Sequence, residues 1–456
     1  MTRNGQKSGQ ISRFLKAIPV VVLTLWICLW LNLNTGFWNI APPENLDGLA
    51  YLIRSLLAFA VLPVAALTVF DAGKKLKLPA LSPSRMLLIY GLVAIVASAF
   101  SPEPWVAFYW GVAFLATIYA AWTFVCVDTP VTVSRLMLQV TWAVTFVVAA
   151  IITYTGRVAI FAENQSAYWT IHEELSGLAI SSGVARWAAV PGLVCLLRVY
   201  HTRRPLLIGF YLSGAAAAGF IIYRMQSRGA IFGAAAAMLF AVVAANRLRK
   251  YALPFLIFGT LVMLIVEPSG DVSSSVGKYL RRGQTEEQFR SMSGRTRAYK
   301  LAMDAVADAP LLGRGNWADR MIIGEHAHNS YIQALLNAGI LGFIPYAGSW
   351  LFGWMLFFRL LKQENKLLPE DRASLMEAGT VMAFFTVRAI PETTTASYSV
   401  DLLVMAAVYV FLESLTVALA GVQRPLKRRQ AMRSWGGEEE ADLPAWQQPR
   451  AGGGNE

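Results

Sequence analysis

About twelve long apolar runs follow one another along this chain, most of them near the ~20 residues that a helix needs to cross a bilayer. The segments between them carry most of the Lys and Arg. Such a chain has few folds open to it. Backbone N–H and C=O groups find no water in hydrocarbon, so a spanning run of this length must satisfy them itself as a helix. An all-α polytopic membrane protein is therefore predicted. Composition agrees: 56% of the 456 residues are hydrophobic and 15% charged, too little polar surface for a soluble chain of this length. The formal charge of +12 calls for no nucleic-acid partner, because basic residues in short loops are what orients spans with their cytoplasmic ends positive. Cys28, Cys126 and Cys195 lie inside apolar runs at no metal-ligand spacing, and imply neither a disulfide framework nor a metal site.

Basic residues fix the predicted path. Arg3, Lys7, Arg13 and Lys16 precede an apolar stretch at about 17–33 with no small-residue cleavage site after it, which predicts a retained first span and a cytoplasmic N-terminus. Further spans are expected at about 48–70, 86–100, 105–127, 136–154, 187–197, 205–222, 229–245 and 251–266. Three more follow at about 330–360, 375–387 and 398–420. The domain plan is then 1–266 (spans one to nine), 267–328 (a large, partly helical periplasmic loop) and 329–420 (spans ten to twelve). Residues 421–456, first basic and then acidic and Gly-rich, are expected to form a disordered cytoplasmic tail.

Chemistry concentrates where the long loop ends. The chain has four histidines, and two of them, His326 and His328, stand in Glu325-His326-Ala327-His328-Asn329-Ser330-Tyr331 at the start of span ten. A ring at a helix start, near arginines, is expected to stay neutral and able to accept a proton. Helix capping is the plainer alternative. The loop from Lys278 to Arg320 is strongly basic, with helical spacing over 295–307. Guanidinium forks suit phosphate or pyrophosphate oxygens, although a basic surface can also rest on anionic lipid headgroups. Arg228, in Ser227-Arg228-Gly229 at a helix start, adds backbone N–H groups to its own charge. The outer side has no Asp-x-Asp pair for a divalent metal, so arginines are expected to neutralise any phosphate, and no cofactor is expected.

His328-Asn329, nine residues, then Gly339-Ile340-Leu341-Gly342 resembles the signature of the O-antigen ligase family. Ser227-Arg228-Gly229 at a span start, Ser293-Gly294-Arg295 heading the loop helix, and the late large loop add to the resemblance. It implies a GT-C-like glycosyltransferase of the bacterial inner membrane, active at the periplasmic face and embedded in membrane lipids. Its donor would be a glycan on undecaprenyl pyrophosphate, and its acceptor the lipid A–core oligosaccharide. By position, His328 would be the catalytic base, and Arg228 and Arg295 would bind the pyrophosphate of an inverting, metal-independent transfer. Asn329, His326 and Arg388 are further substrate-binding candidates. His326 falls outside the pattern, and a structural pair with Glu392 is the competing role for Arg388. A glycan polymerase or a protein O-oligosaccharyltransferase would share the donor and differ in the acceptor. A lipid-linked-sugar transporter would instead place ionisable residues deep within several spans, whereas the charges here are expected to gather at the outer rim.

Overall fold

The computed structural model describes residues 21, 23–30, 47–71, 78–127, 129–155, 181–245 and 295–434. The expected ninth span, the basic loop as far as residue 294, the polar segment 156–180 and the tail beyond 434 lie outside the described residues. Every regular element among the described residues is helical. In chain order these are α1 (Asp47–Asp71), α2 (Pro83–Ala97), α3 (Pro104–Thr123), α4 (Pro130–Thr155), α5 (Ser181–His201) and α6 (Pro205–Met225). There follow α7 (Arg228–Ala244), α8 (Arg295–Asp308), α9 (Ser330–Leu361), α10 (Pro369–Arg388) and α11 (Val400–Ser434). A further helical stretch covers 23–30. Five helices open on proline, whose fixed φ suits a first turn and whose missing N–H has no intrahelical partner there in any case. Seven helices among the described residues are long and apolar enough to cross a membrane, and 56–70 and α7 are shorter apolar helices. The chain is a multi-pass membrane protein.

α11 is the centre of the bundle. Its apolar window is 83% buried, against 11% for α6, which faces outward. Around it pair α5 with α6, α2 with α9, α7 with α10 and α1 with α3. The fifth and tenth helices run longer than the expected sixth and eleventh spans. α11 also continues to Ser434, through residues expected to be disordered. Its extension holds four Arg and two Gln, good helix formers, beside Gly421 and Pro425.

The charges are not confined to the rim. Arg198 donates to Glu377 at 2.8 Å, and Trp142 Nε1 donates to the same carboxylate at 2.9 Å. Glu413, fully buried, accepts from the hydroxyls of Ser82 and Ser84. Both groups meet helix ends, Glu413 at the Ser82 N-cap of α2 and Glu377 at Arg198 in the last turn of α5, and each is compensated by a partner far along the chain.

α9 explains the Gly-x-x-Gly half of the signature. The helix breaks at Gly339, where φ is +57° and ψ −163°. The break frees backbone groups, and residues 310–315 take them up: Arg314 N–H donates to Leu336 O at 2.8 Å and Gly315 N–H to Asn337 O at 2.9 Å. In return, Ile340 N–H donates to Pro310 O at 2.8 Å. Irregular backbone thus enters the bundle with its polar groups satisfied. A Cβ on Gly339 would lie 2.3 Å from the Leu311 carbonyl, so both the left-handed conformation and the close approach demand glycine.

Candidate functional site

The N-terminus of α9 and the turn that follows α10 are stitched together by short polar side chains. Asn329 caps α9: its Oδ1 accepts from Tyr331 N–H at 2.8 Å and Ile332 N–H at 3.0 Å. Its Nδ2 donates across to Ile390 O at 3.0 Å. Ser330 Oγ donates to Glu392 O at 3.0 Å and accepts from Thr394 N–H at 2.7 Å. Asn329 therefore builds the site, and its amide is already committed. The stitching fixes Glu392 beside His328, whose Nδ1 lies 3.6 Å from Glu392 Oε2. That distance suits an ion pair but exceeds a hydrogen bond, and His328 Nδ1 is buried with no hydrogen-bond partner.

α8 closes the site from the loop side. Arg295 and Tyr299 stand one turn apart and so share a helix face. Arg295 donates to Glu392 Oε1 at 2.7 Å, and Tyr299 Oη donates to the carbonyl of His328 at 3.0 Å. From the third side comes α7. A Cβ on Gly229 would lie 3.6 Å from Pro391 and 3.7 Å from Glu392 Cγ, so the first turn of α7, with Arg228 as its first residue, packs on the same turn. Ser227 makes no side-chain cap there, which leaves the positive end of α7 directed at this region. His328, Arg295 and the helix end bearing Arg228 meet around one carboxylate. Burial opposes the charge on Glu392, but His328, Arg295 and Arg388 outweigh it and hold the group well below the usual carboxylate range.

Other expected contacts differ. His328 precedes the cap, with φ +48°, and does not sit in the first turn. The charged group 3.6 Å from it is a carboxylate, not the arginine on which the neutral-ring argument leaned. Arg388 is buried at 2% exposure and pairs with Asp401 at 2.9 Å, not with Glu392. The same aspartate also holds Arg186 at 3.1 Å. As a candidate for direct substrate binding, Arg388 is too enclosed. His326 is taken up by Asp319, whose Oδ2 lies 3.3 Å from its Nδ1, and by Arg320. Asp319 Oδ2 also accepts Ala327 N–H at 3.2 Å, and Arg320 lies 5.4 Å above the Trp317 ring. The two histidine rings are 5.7 Å apart, so His326 packs beside the site, supporting the loop.

Sequence reasoning counts Tyr299 only among the apolar positions of the loop helix and does not single out Arg186 or Asp401. Tyr299 shares its helical stripe with Arg295, a signal that was present. Asp401, an acid heading a strongly apolar helix, carries the ordinary signal of a functional or paired intramembrane charge. Among the described residues, no group of three or more His, Cys, Asp and Glu could hold a metal.

Residues 213–347 match the model of a family described as O-Antigen ligase. Over those residues the chain carries an O-antigen ligase family region. The matched span contains α7 with Arg228, α8 with Arg295, and the His328-to-Gly342 signature, whereas Glu392, on which they converge, lies beyond it. No curated protein matches the chain.

Proposed function

We propose that this protein transfers a glycan from undecaprenyl pyrophosphate to the lipid A–core oligosaccharide at the periplasmic face of the inner membrane. One observation carries the reading: His328, Arg295 and the Arg228 helix end converge on Glu392 although they come from three separate parts of the chain. Arg228 and Arg295 hold the pyrophosphate and offset charge growing on the leaving oxygen. Glu392 faces Nδ1 of His328, which leaves Nε2 to take the proton from the acceptor hydroxyl as that oxygen attacks the anomeric carbon. Attack opposite the departing pyrophosphate inverts the configuration. The donor bond is already activated, so a base and an oriented anion site suffice.

The test uses purified full-length protein, a polyprenyl-pyrophosphate-linked glycan and lipid A–core. His328→Ala is expected to lower transfer by ~10²–10⁴-fold with donor affinity kept. Arg295→Ala and Arg228→Ala are expected to weaken donor binding as well. Near-normal transfer by a folded His328→Ala protein would overturn the assignment. Transfer to growing polymer or to protein, but not to lipid A–core, would reassign the acceptor and leave the site in place.

A further inference from the structure

We propose that the groove between α4, α5 and α6 holds the hydrocarbon tail of the lipid-linked donor, an inference that rests on the donor assigned above. The cavity measures about 410 Å³ and is lined by Phe146, Ala150, Tyr154, Ala188, Ala217 and Ile221 among others. That lies within the ~300–1,000 Å³ range of ligand sites. Small side chains carve it, and its surface is apolar: the one hydroxyl of a short side chain on its wall, Thr153 Oγ1, is turned back to Ala149 O at 2.7 Å. Water gains nothing there, whereas a hydrocarbon chain gains burial on three sides.

Its position selects the occupant. The lining residues fall in the C-terminal half of α4, the N-terminal half of α5 and the C-terminal half of α6. These are the halves that lie toward the end of the bundle where α7, α9 and α11 begin. Ile221 lies one turn before the end of α6, and the chain then passes through left-handed Gln226 and Ser227 directly into Arg228. α5 brings Arg186, two residues ahead of Ala188, to the Asp401–Arg388 cluster. α6 therefore leads from an apolar wall to the cationic site, while α5 leads to the enclosed Asp401–Arg388 pair that ties the same end of the bundle. That sequence of surfaces fits an amphiphile with an anionic head and a long tail, laid from Arg228 into the groove.

The experiment uses purified full-length protein and polyprenyl pyrophosphate bearing a photoreactive group in its tail, with transfer assayed in parallel for long-tailed and short-tailed donors. Ala150→Trp and Ala217→Trp fill the groove from its exposed lip. Ala216→Trp, exposed on the same helix but outside the lining, is the control. Crosslinks to α4–α6 are expected, with the groove variants raising KM for the long-tailed donor at least about tenfold while kcat and the short-tailed donor's KM stay unchanged. Crosslinks elsewhere, or groove variants that act equally on both donors or on neither, would overturn the proposal. Tail crosslinks in the groove of a protein that transfers nothing would uphold the groove and sink the enzymatic reading. Transfer with crosslinks elsewhere would do the reverse.

Discussion

Arg295–Glu392 and Arg388–Asp401 are guanidinium–carboxylate pairs at the same end of the bundle, at 2.7 and 2.9 Å, yet the two regions around them differ in kind. The Arg295 side chain keeps 24% of its surface, and its carboxylate also faces a histidine with an unpaired nitrogen. The Arg388 side chain keeps 2% and Asp401 none, and Asp401 carries a second guanidinium from α5. A pair that is compensated and enclosed ties helices together. A pair at the rim, with donors still facing outward, can exchange its carboxylate for a substrate phosphate. The carboxylate partner alone does not separate the two cases; exposure does.

The largest expected effect follows from removing the enclosed arginine. Arg388→Ala leaves Asp401 buried with half its compensation, and losing one partner of a buried pair costs about 3–5 kcal/mol. The variant should fail to accumulate or melt far below the parent, as read by detergent thermal unfolding. Arg295→Ala, with the same change of charge, should melt close to the parent and lose transfer. Equal loss of stability in both would erase the distinction between the regions.

Glu392 comes next. Glu392→Gln removes the charge facing His328 and Arg295, and loss of such a preorganised partner is expected to lower kcat by ~10²–10³-fold. It also has a pH signature. The native carboxylate titrates below its ordinary value because His328, Arg295 and Arg388 outweigh burial. Its stabilising contribution is therefore complete above the unfolded value of about 4.3 and is lost only as pH falls through the lower native one. The difference in melting temperature between parent and Glu392→Gln should persist down to pH 5 and vanish only in stronger acid. Convergence already at pH 5–6 would show that the carboxylate is not held by these groups.

How much could be read from the chain depended on whether a signal was local. The His328–Gly342 signature, the Ser-Arg-Gly start of α7 and the helical stripe from Arg295 are contiguous patterns, and the structure brings them together. The helix over 295–307 was legible for the same reason. The interior charges were not, because each is one acid in an apolar run whose partner is remote: Glu377 with Arg198, Glu413 with Ser84, Asp401 with Arg186. Nothing local in α9 indicated that residues 310–315 would pair with its broken backbone. Gly339→Ala tests that insertion. A left-handed non-glycine costs about 1–3 kcal/mol, and the contact with Leu311 adds to it. The variant should lose stability together with transfer, whereas Gly348→Ala, with only ordinary contacts to Met86, should lose neither.

The smallest expected effect separates a residue that builds the rim from one that acts in it. Asn329 belongs to the same short signature as His328, but its Oδ1 caps α9 and its Nδ2 reaches Ile390 O. Asn329→Ala should cost about 1 kcal/mol, the usual loss of a cap, and Asn329→Ser, which can still cap, should recover most of it. If the side chain only positions its neighbour, the two variants should rank the same way in melting temperature and in kcat, with KM for the donor unchanged. A serine variant restored in stability but still deficient in donor binding would move Asn329 from the scaffold into the substrate contacts, and the rim would then hold one more chemical group than its geometry assigns.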